Sequence, residues 1–313
     1  MTQRSLLIAL LPAALFGQTF VPPAGLTYRR GNIISEGTRM SAELYSPTSK
    51  DGVKLPTVIM CHGWGGAAAG LRREAADIAR AGYLVVVFDY RGWGQSDSRL
   101  ILTGPAPKEK KDGRFLAEVK EVREVVDPLD MTRDLLNAIH WVHGEPQADT
   151  GRIGLWGSSY SGGHVVYAAA RDHRIKALVS QAPGMDSRPL AKLLDANDVA
   201  TRRTRGAIGY PPPRAQEVGK LFGGPIAEKM IDYAPAEDAA RVPPHCAQLY
   251  IVAGAEELFD NRDHGIKAHS LARGPRKLVT IPAITHYGIY REAREQATKL
   301  AIAWFDEHLR GIQ

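Results

Sequence analysis

Three short strings in this chain put nucleophilic or titratable side chains at points where the backbone must turn sharply. The first is Gly157-Ser158-Ser159-Tyr160-Ser161-Gly162, which joins a strand-like run, Arg152–Trp156, to a stretch with helical spacing, Tyr160–Arg171. A strand that passes into a helix through so tight a bend lifts the side chain at the bend clear of the sheet, and its neighbours two residues away must be small. Gly157 and Ser161 meet that demand for Ser159, which makes Ser159 the candidate nucleophile. Ser158 lies too near the strand end, and Ser161 already falls in the first helical turn. Ser161 departs from the strict G-x-S-x-G pattern, but it is small and Gly162 follows it. A seryl hydroxyl attacks only once a neighbouring base takes its proton, and the base in turn needs an orienting carboxylate.

His286 is the candidate base. Among ten histidines it alone stands at the carboxyl end of a strand-like run, Lys277–Ile281, in a turn with Gly288 behind it. His140 and His308 fall inside helical stretches, and His264 and His269 belong to a charged helix after Asp260. The carboxylate should follow the strand Leu249–Ala253, giving the chain order Ser, acid, His. Glu256, Glu257 and Asp260 compete there. The string Glu256-Glu257-Leu258-Phe259 reads as an acid-led turn, which favours Glu256 and keeps Glu257 as the alternative. Asp260 is better placed as the N-cap of a helix over Asn261–Ala272, where a short acid accepts from free amides.

Negative charge on the attacked carbonyl needs donors. After the apolar run Thr57–Cys61 comes His62-Gly63-Trp64-Gly65-Gly66, whose glycines let backbone N–H groups approach a ligand closely. The amides of Trp64 and of Tyr160, the latter at a helix N-terminus, are the expected oxyanion donors. His62 reads as a brace for this loop. In Phe88-Asp89-Tyr90-Arg91-Gly92-Trp93-Gly94-Gln95-Ser96, the acid and the two glycines fit a tight internally bonded loop, with Asp89 and Arg91 as a structural pair.

These strings require a scaffold that presents strand ends on one side. From Arg39 onward short apolar strands (Met40–Tyr45, Thr57–Cys61, Tyr83–Phe88, Arg152–Trp156, Ile175–Ser180, Leu249–Ala253, Lys277–Ile281) alternate with helical stretches (Leu71–Ala81, Asp130–Val142, Tyr160–Arg171, and a long closing helix, Ile289–Arg310). That rhythm predicts an α/β fold, a mostly parallel sheet covered on both faces. Two segments interrupt it: charged Arg99–Asp127, and Pro183–Pro244, rich in Pro, Arg and Gly. The second is expected to cap the site, since ligands bind beyond the strand ends of open parallel sheets.

The 313 residues, 44% hydrophobic and 24% charged, suffice for a large core and exclude a disordered or fibrous chain. The net charge of +6 is spread in short clusters only, Lys108–Lys111 and Arg202–Arg205, which argues against a nucleic-acid partner. Cys61 and Cys246 make neither a disulfide framework nor a zinc site. Arg4 followed by the apolar stretch Ser5–Phe16 and the small Gly17 describes a signal peptide over residues 1–17. The stretch is too short to span a bilayer. The expectation is a secreted or periplasmic protein without a membrane anchor, its domain running over residues 25–313.

The ordered set of strings resembles the α/β-hydrolase superfamily, specifically the dienelactone-hydrolase-like and CocE/NonD or X-Pro-dipeptidyl-peptidase-like serine hydrolases. The G-x-S-Y-x-G elbow of the latter matches Gly157-Ser158-Ser159-Tyr160-Ser161-Gly162, and the resemblance covers about residues 30–311. It implies a triad of Ser159, His286 and a carboxylate after the strand Leu249–Ala253, no metal or organic cofactor, and a small-molecule ester as substrate. The glutamates stand where such enzymes usually carry Asp. The large C-terminal β-domain of full-length CocE-type enzymes is missing, so their specificity does not carry over. The expected chemistry is ester hydrolysis through an acyl-enzyme. A small serine peptidase or amidase and a polyester hydrolase are the alternatives on the same scaffold, and a non-catalytic binding module is the alternative of another class.

Overall fold

The computed structural model describes residues 20–48, 52–213, 221–258 and 260–311; the leader-like segment read over residues 1–17 lies outside them. Eight strands form the main sheet: β1 (Leu26–Ser35), β2 (Thr38–Pro47), β3 (Leu55–Cys61), β4 (Leu84–Phe88), β5 (Ala148–Ser158), β6 (Ile175–Gln181), β7 (Ala247–Ala253) and β8 (Arg276–Ile281). Their spatial order is β1-β2-β4-β3-β5-β6-β7-β8. β2 runs antiparallel to β1 and β4, and every other pairing is parallel.

The central strands carry apolar runs because helices cover both faces. Every residue of β4, Leu-Val-Val-Val-Phe, is buried. Successive side chains of a strand point to opposite faces, so Val85 and Val87 pack with Val58 and Met60 on one side, while Val86 and Phe88 pack with Ile59 and Cys61 on the other. Helices α1 (Arg72–Arg80) and α5 (Arg294–Phe305) cover the first face through Ala75, Ile78, Ala297 and Ala301. Helices α2 (Pro128–His143) and α3 (Tyr160–Ala169) cover the second through Leu135, Ile139, Val165 and Ala169. α4 (Asn261–Leu271) adds Ala268 to that second side.

Several elements differ from the sequence reading. β1 lacks the apolar run of a buried strand because eight of its ten residues are exposed or half-buried, as in an edge strand with one wet face. α2 begins at Pro128, two residues earlier than the apolar spacing suggests, because Asp127 accepts the amides of Leu129 and Asp130 (3.1 Å each) and Pro128 is preset for the first turn. The expected long closing helix is three pieces: a single turn Tyr287–Tyr290, then α5, then a wider turn Asp306–Arg310.

Both interruptions lie where β4 and β6 end. Arg99–Leu102 and Val119–Val122 pair as an antiparallel ribbon, and Val125–Val126 pairs with Gly224–Pro225 inside the second segment. That second segment carries the helices Arg188–Leu193 and Ala196–Thr204 and the short turns Ala227–Met230 and Pro235–Asp238.

Candidate active site

Ser159 links β5 to α3 with φ 60° and ψ −128°, a conformation that L residues adopt only when the surroundings impose it. The surroundings are specific. The Ser159 amide donates to the Gln181 carbonyl of β6 (2.9 Å), and its carbonyl accepts from Gly162 and Gly184 (2.9 Å each). A Cβ on Gly157 would sit 2.2 Å from the Ser161 carbonyl oxygen, so the position two residues before the serine admits glycine alone. Ser161 is more than a small residue. Its hydroxyl accepts the Ser158 amide (2.9 Å) and lies 2.7 Å from the Cys61 carbonyl, tying the bend to the end of β3. The Ser159 side chain is left half-exposed in a cleft that Trp64, Tyr160, Leu190 and Leu258 also line.

The glycine loop after β3 packs directly on this bend. A Cβ on Gly63 would meet the Ser158 carbonyl at 2.8 Å, Ser159 Cβ at 2.9 Å and the Tyr160 nitrogen at 3.3 Å. The loop backbone therefore runs beside both Ser159 and the amide that opens α3, where unsatisfied N–H groups and the helix dipole favour negative charge. The rings of Trp64 and Tyr160 stand 5.3 Å apart on the cleft wall.

His62 is buried and its Nδ1–H donates to the Gly63 carbonyl (3.0 Å), the bracing position expected from sequence. Burial holds its imidazole below the ordinary histidine range, against the pull of Asp89. The expected Asp89–Arg91 pair does not form. Asp89 instead accepts the amides of Ala68 (2.6 Å) and Gln95 (2.9 Å), stitching two loops together, and Arg91 turns away to the buried Asp134 of α2. Both the Arg91 amide (2.9 Å) and its Nε go to the buried Asp134 carboxylate, which holds the side chain on α2 and away from Asp89.

His286 follows β8 and opens the turn Tyr287–Tyr290, with its ring buried 5.2 Å from that of Tyr287 and 6.0 Å from that of Tyr290. The turn is fastened to the bend that carries Ser159: the Tyr290 hydroxyl lies 2.8 Å from Ser158 Oγ, which accepts from Gln181 Nε2 (3.1 Å). His286 Nδ1 is buried and makes no hydrogen bond among the described residues. Burial lowers the His286 pKa, and the charges of Glu257 and then Glu256 oppose that shift.

The three competing acids occupy different surroundings. Glu256 accepts the amides of Leu258 (2.9 Å) and Arg262 (2.7 Å), one with each carboxylate oxygen. Exposed Glu257 accepts the amide of Tyr287, the residue after His286 (3.2 Å). Asp260 precedes α4, but its side chain makes no capping bond, contrary to the sequence reading. Its backbone is left-handed (φ 55°, ψ 31°) rather than extended as in an ordinary N-cap, and Glu256 supplies the missing acceptor from four residues upstream. Tyr290 is the contact that sequence reasoning missed. It was absorbed into the expected closing helix, and the glycine at 288 that ends that pattern was its only signal.

Comparison with known proteins agrees with this architecture. Residues 36–191 match the X-Pro dipeptidyl-peptidase (S15) family. An uncharacterized 31.7 kDa protein of Escherichia coli is 28% identical over 289 residues, covering 82% of this chain and 92% of its own. A hypothetical protein of Pseudomonas aeruginosa superposes with a TM-score of 0.71 at 20% identity, over 96% of this chain and all of its own. An acetyl xylan esterase from Paenibacillus sp. R4 superposes with a TM-score of 0.63 at 17% identity, over 91% and 86% of the two chains. The chain has the α/β-hydrolase fold, and about half of it is similar to the X-Pro dipeptidyl-peptidase (S15) family.

Proposed function

We propose that the protein hydrolyses carboxylic esters through an acyl-enzyme on Ser159. The observation that carries this reading is the strained backbone of Ser159, held open to the cleft with the Gly63 loop and the α3 amides beside it. In this reading His286 takes the Ser159 proton as Oγ bonds to the ester carbonyl carbon. The amides of Trp64 and Tyr160 hold the resulting oxyanion. The imidazolium then gives its proton to the departing alcohol, and the same imidazole deprotonates the water that releases the acid. The orienting carboxylate comes from the Glu256–Glu257 pair. Glu256, favoured by the sequence, has both oxygens engaged by backbone amides, whereas Glu257 acts more strongly on His286, which favours Glu257.

The segment 183–244 acts as the cap that selects substrate, since its residues Gly184, Leu190 and Leu221 line the cleft together with Trp64 and Ser159. The cleft has a volume of about 100 Å³, against the ~300–1,000 Å³ of pockets that enclose a drug-sized ligand. Small acyl groups fit that room. The resemblance to an acetyl xylan esterase supports an ester, and the match to a peptidase family makes amide cleavage the second reading. Turnover of p-nitrophenyl acetate, butyrate and octanoate against amino-acyl p-nitroanilides separates the two. The ester reading expects acetate to be fastest and the anilides to be slower by orders of magnitude; anilide turnover equal to that of acetate would refute it.

A further inference from the structure

The cleft that Ser159 opens into has one polar wall. Asp260, Asn261 and His264 line it from the start of α4, while Trp64, Tyr160, Leu190, Leu221 and Leu258 make the rest apolar. The His264 amide donates to the Asp260 carbonyl (2.9 Å), which closes the first turn and puts residues 260 and 264 on one face of the helix. Asn261 fastens that turn to the nucleophile bend. Its Nδ2 donates to the Ala182 carbonyl, just beyond β6 (3.2 Å). A Cβ on Gly184 would lie 3.5 Å from Asn261 Nδ2 and 3.5 Å from the Tyr160 ring, and the Gly184 amide itself donates to the Ser159 carbonyl (2.9 Å).

We infer that His264 and Asp260 are specificity-determining residues, which together bind a hydroxyl group carried by the substrate beside its ester. This rests on the reading of Ser159 as an esterase nucleophile. The Met185 amide can only donate, so at 3.2 Å His264 Nδ1 accepts, and the ring proton sits on Nε2. A second proton would have to go on Nδ1 and would break that bond; burial also lowers the His264 pKa, against the charges of Asp186 and Asp260. His264 is thus a neutral donor of fixed tautomer. Asp260 is exposed, held in a left-handed backbone, and makes no capping bond, so its carboxylate is available as an acceptor. The other acid of the wall, Asp186, is taken by Arg188 (2.9 Å). A donor beside a carboxylate selects among ligands. An ammonium group only donates and would leave Nε2–H facing another donor; a carboxylate only accepts and would face Asp260. A hydroxyl does both.

A site built to hydrogen-bond a substrate hydroxyl discriminates against the analogue that lacks it, because its own polar groups are then left unpaired. On a partly open wall the expected preference is about ten- to a hundredfold in kcat/KM. The hydroxyl can belong to either half of the ester, and two pairs of substrates separate these: glycerol monoacetate against propyl acetate, and ethyl 3-hydroxybutyrate against ethyl butyrate. Rates are followed by pH-stat with the full-length protein and with His264→Leu and Asp260→Gly, the latter suited to the left-handed backbone. Wild type is expected to prefer the hydroxylated ester in one pair. Each variant should lower kcat/KM for that ester about tenfold more than for its plain counterpart, a comparison that cancels the intrinsic reactivities. No preference in either pair, or a preference that survives in both variants, would overturn the inference while leaving the esterase standing. If one variant does not fold, a preference surviving in the other overturns it equally. Ethyl 3-aminobutyrate turned over faster than ethyl 3-hydroxybutyrate would assign the wall to an ammonium group and overturn the hydroxyl. A protein that hydrolyses none of these esters, nor p-nitrophenyl acetate, would overturn the esterase reading itself.

Discussion

The bend that carries Ser159 and the loop that carries Glu256 and Glu257 lie at the same edge of one sheet, yet they are built in opposite ways. The bend is fixed by buried groups from three strands: Gln181 takes its amide, Ser161 ties it to Cys61, and Gly157 leaves no room for another arrangement. The carboxylate loop is half-exposed and rests on a few bonds between its own acids and nearby amides. A side chain that must sit in one strained place has its position written into its neighbours. A carboxylate that acts by charge and by one bond tolerates several origins, because its influence reaches further than its contacts.

The sharpest way to break this contrast is Ser159→Ala, expected to remove at least ~10³-fold of the esterase rate while leaving the melting temperature within a few degrees; titration with a fluorophosphonate and a thermal scan read both. Gly157→Ala comes next. Its new methyl would meet backbone, so the variant is expected to lose about 3 kcal/mol or more of stability, visible as an earlier urea midpoint, with activity falling because Ser159 is displaced. A Gly157→Ala protein as stable and active as the parent would show that the bend is not held as described.

The acid loop gives smaller and separable effects. Glu257→Gln is expected to reduce kcat by about ten- to a thousandfold. It should also move the acid limb of kcat/KM. The imidazole acts as a base only when neutral, so activity falls as pH drops through its pKa, which burial sets below 6.5. Removing the carboxylate that most raises that pKa moves the limb to lower pH still, and Glu256→Gln should move it less. If Glu256→Gln shifted the limb further and cost more kcat, the acid would be Glu256, as its place in the sequence suggests. Otherwise the main expected effect of Glu256→Gln is on α4: loss of the charged acceptor for Arg262 N should cost about 1 kcal/mol, as removal of an N-cap does, readable as earlier hydrogen exchange over Arg262–Gly265.

What could be read from the sequence follows the same division. Glycine spacing, strand runs and chain order are enough to put Ser159 at the bend between β5 and α3, His286 just after β8 and the two loops at strand ends, because each position is dictated by backbone geometry that few residues satisfy. The central strands were legible for a related reason: residues buried on both faces leave an unbroken apolar run. The cap of α4 was not legible, since Asp260 has the right type and position, and only the left-handed backbone there hands the task to Glu256. Nor was the Asp134 partner of Arg91, or the reach of Tyr290 to Ser158. Contacts between residues 43 and 132 positions apart leave no periodic trace.

The pairing of Val125–Val126 with Gly224–Pro225 gives the two long excursions a common fastening. They leave the sheet after different strands, but neither ends independently of the other. Leu221, in the cleft wall, stands only a few residues from that fastening, and the Phe222 backbone abuts Gly65 of the glycine loop. Grafting either excursion onto a relative would strand its counterpart, so a transplant meant to change selectivity has to carry both together.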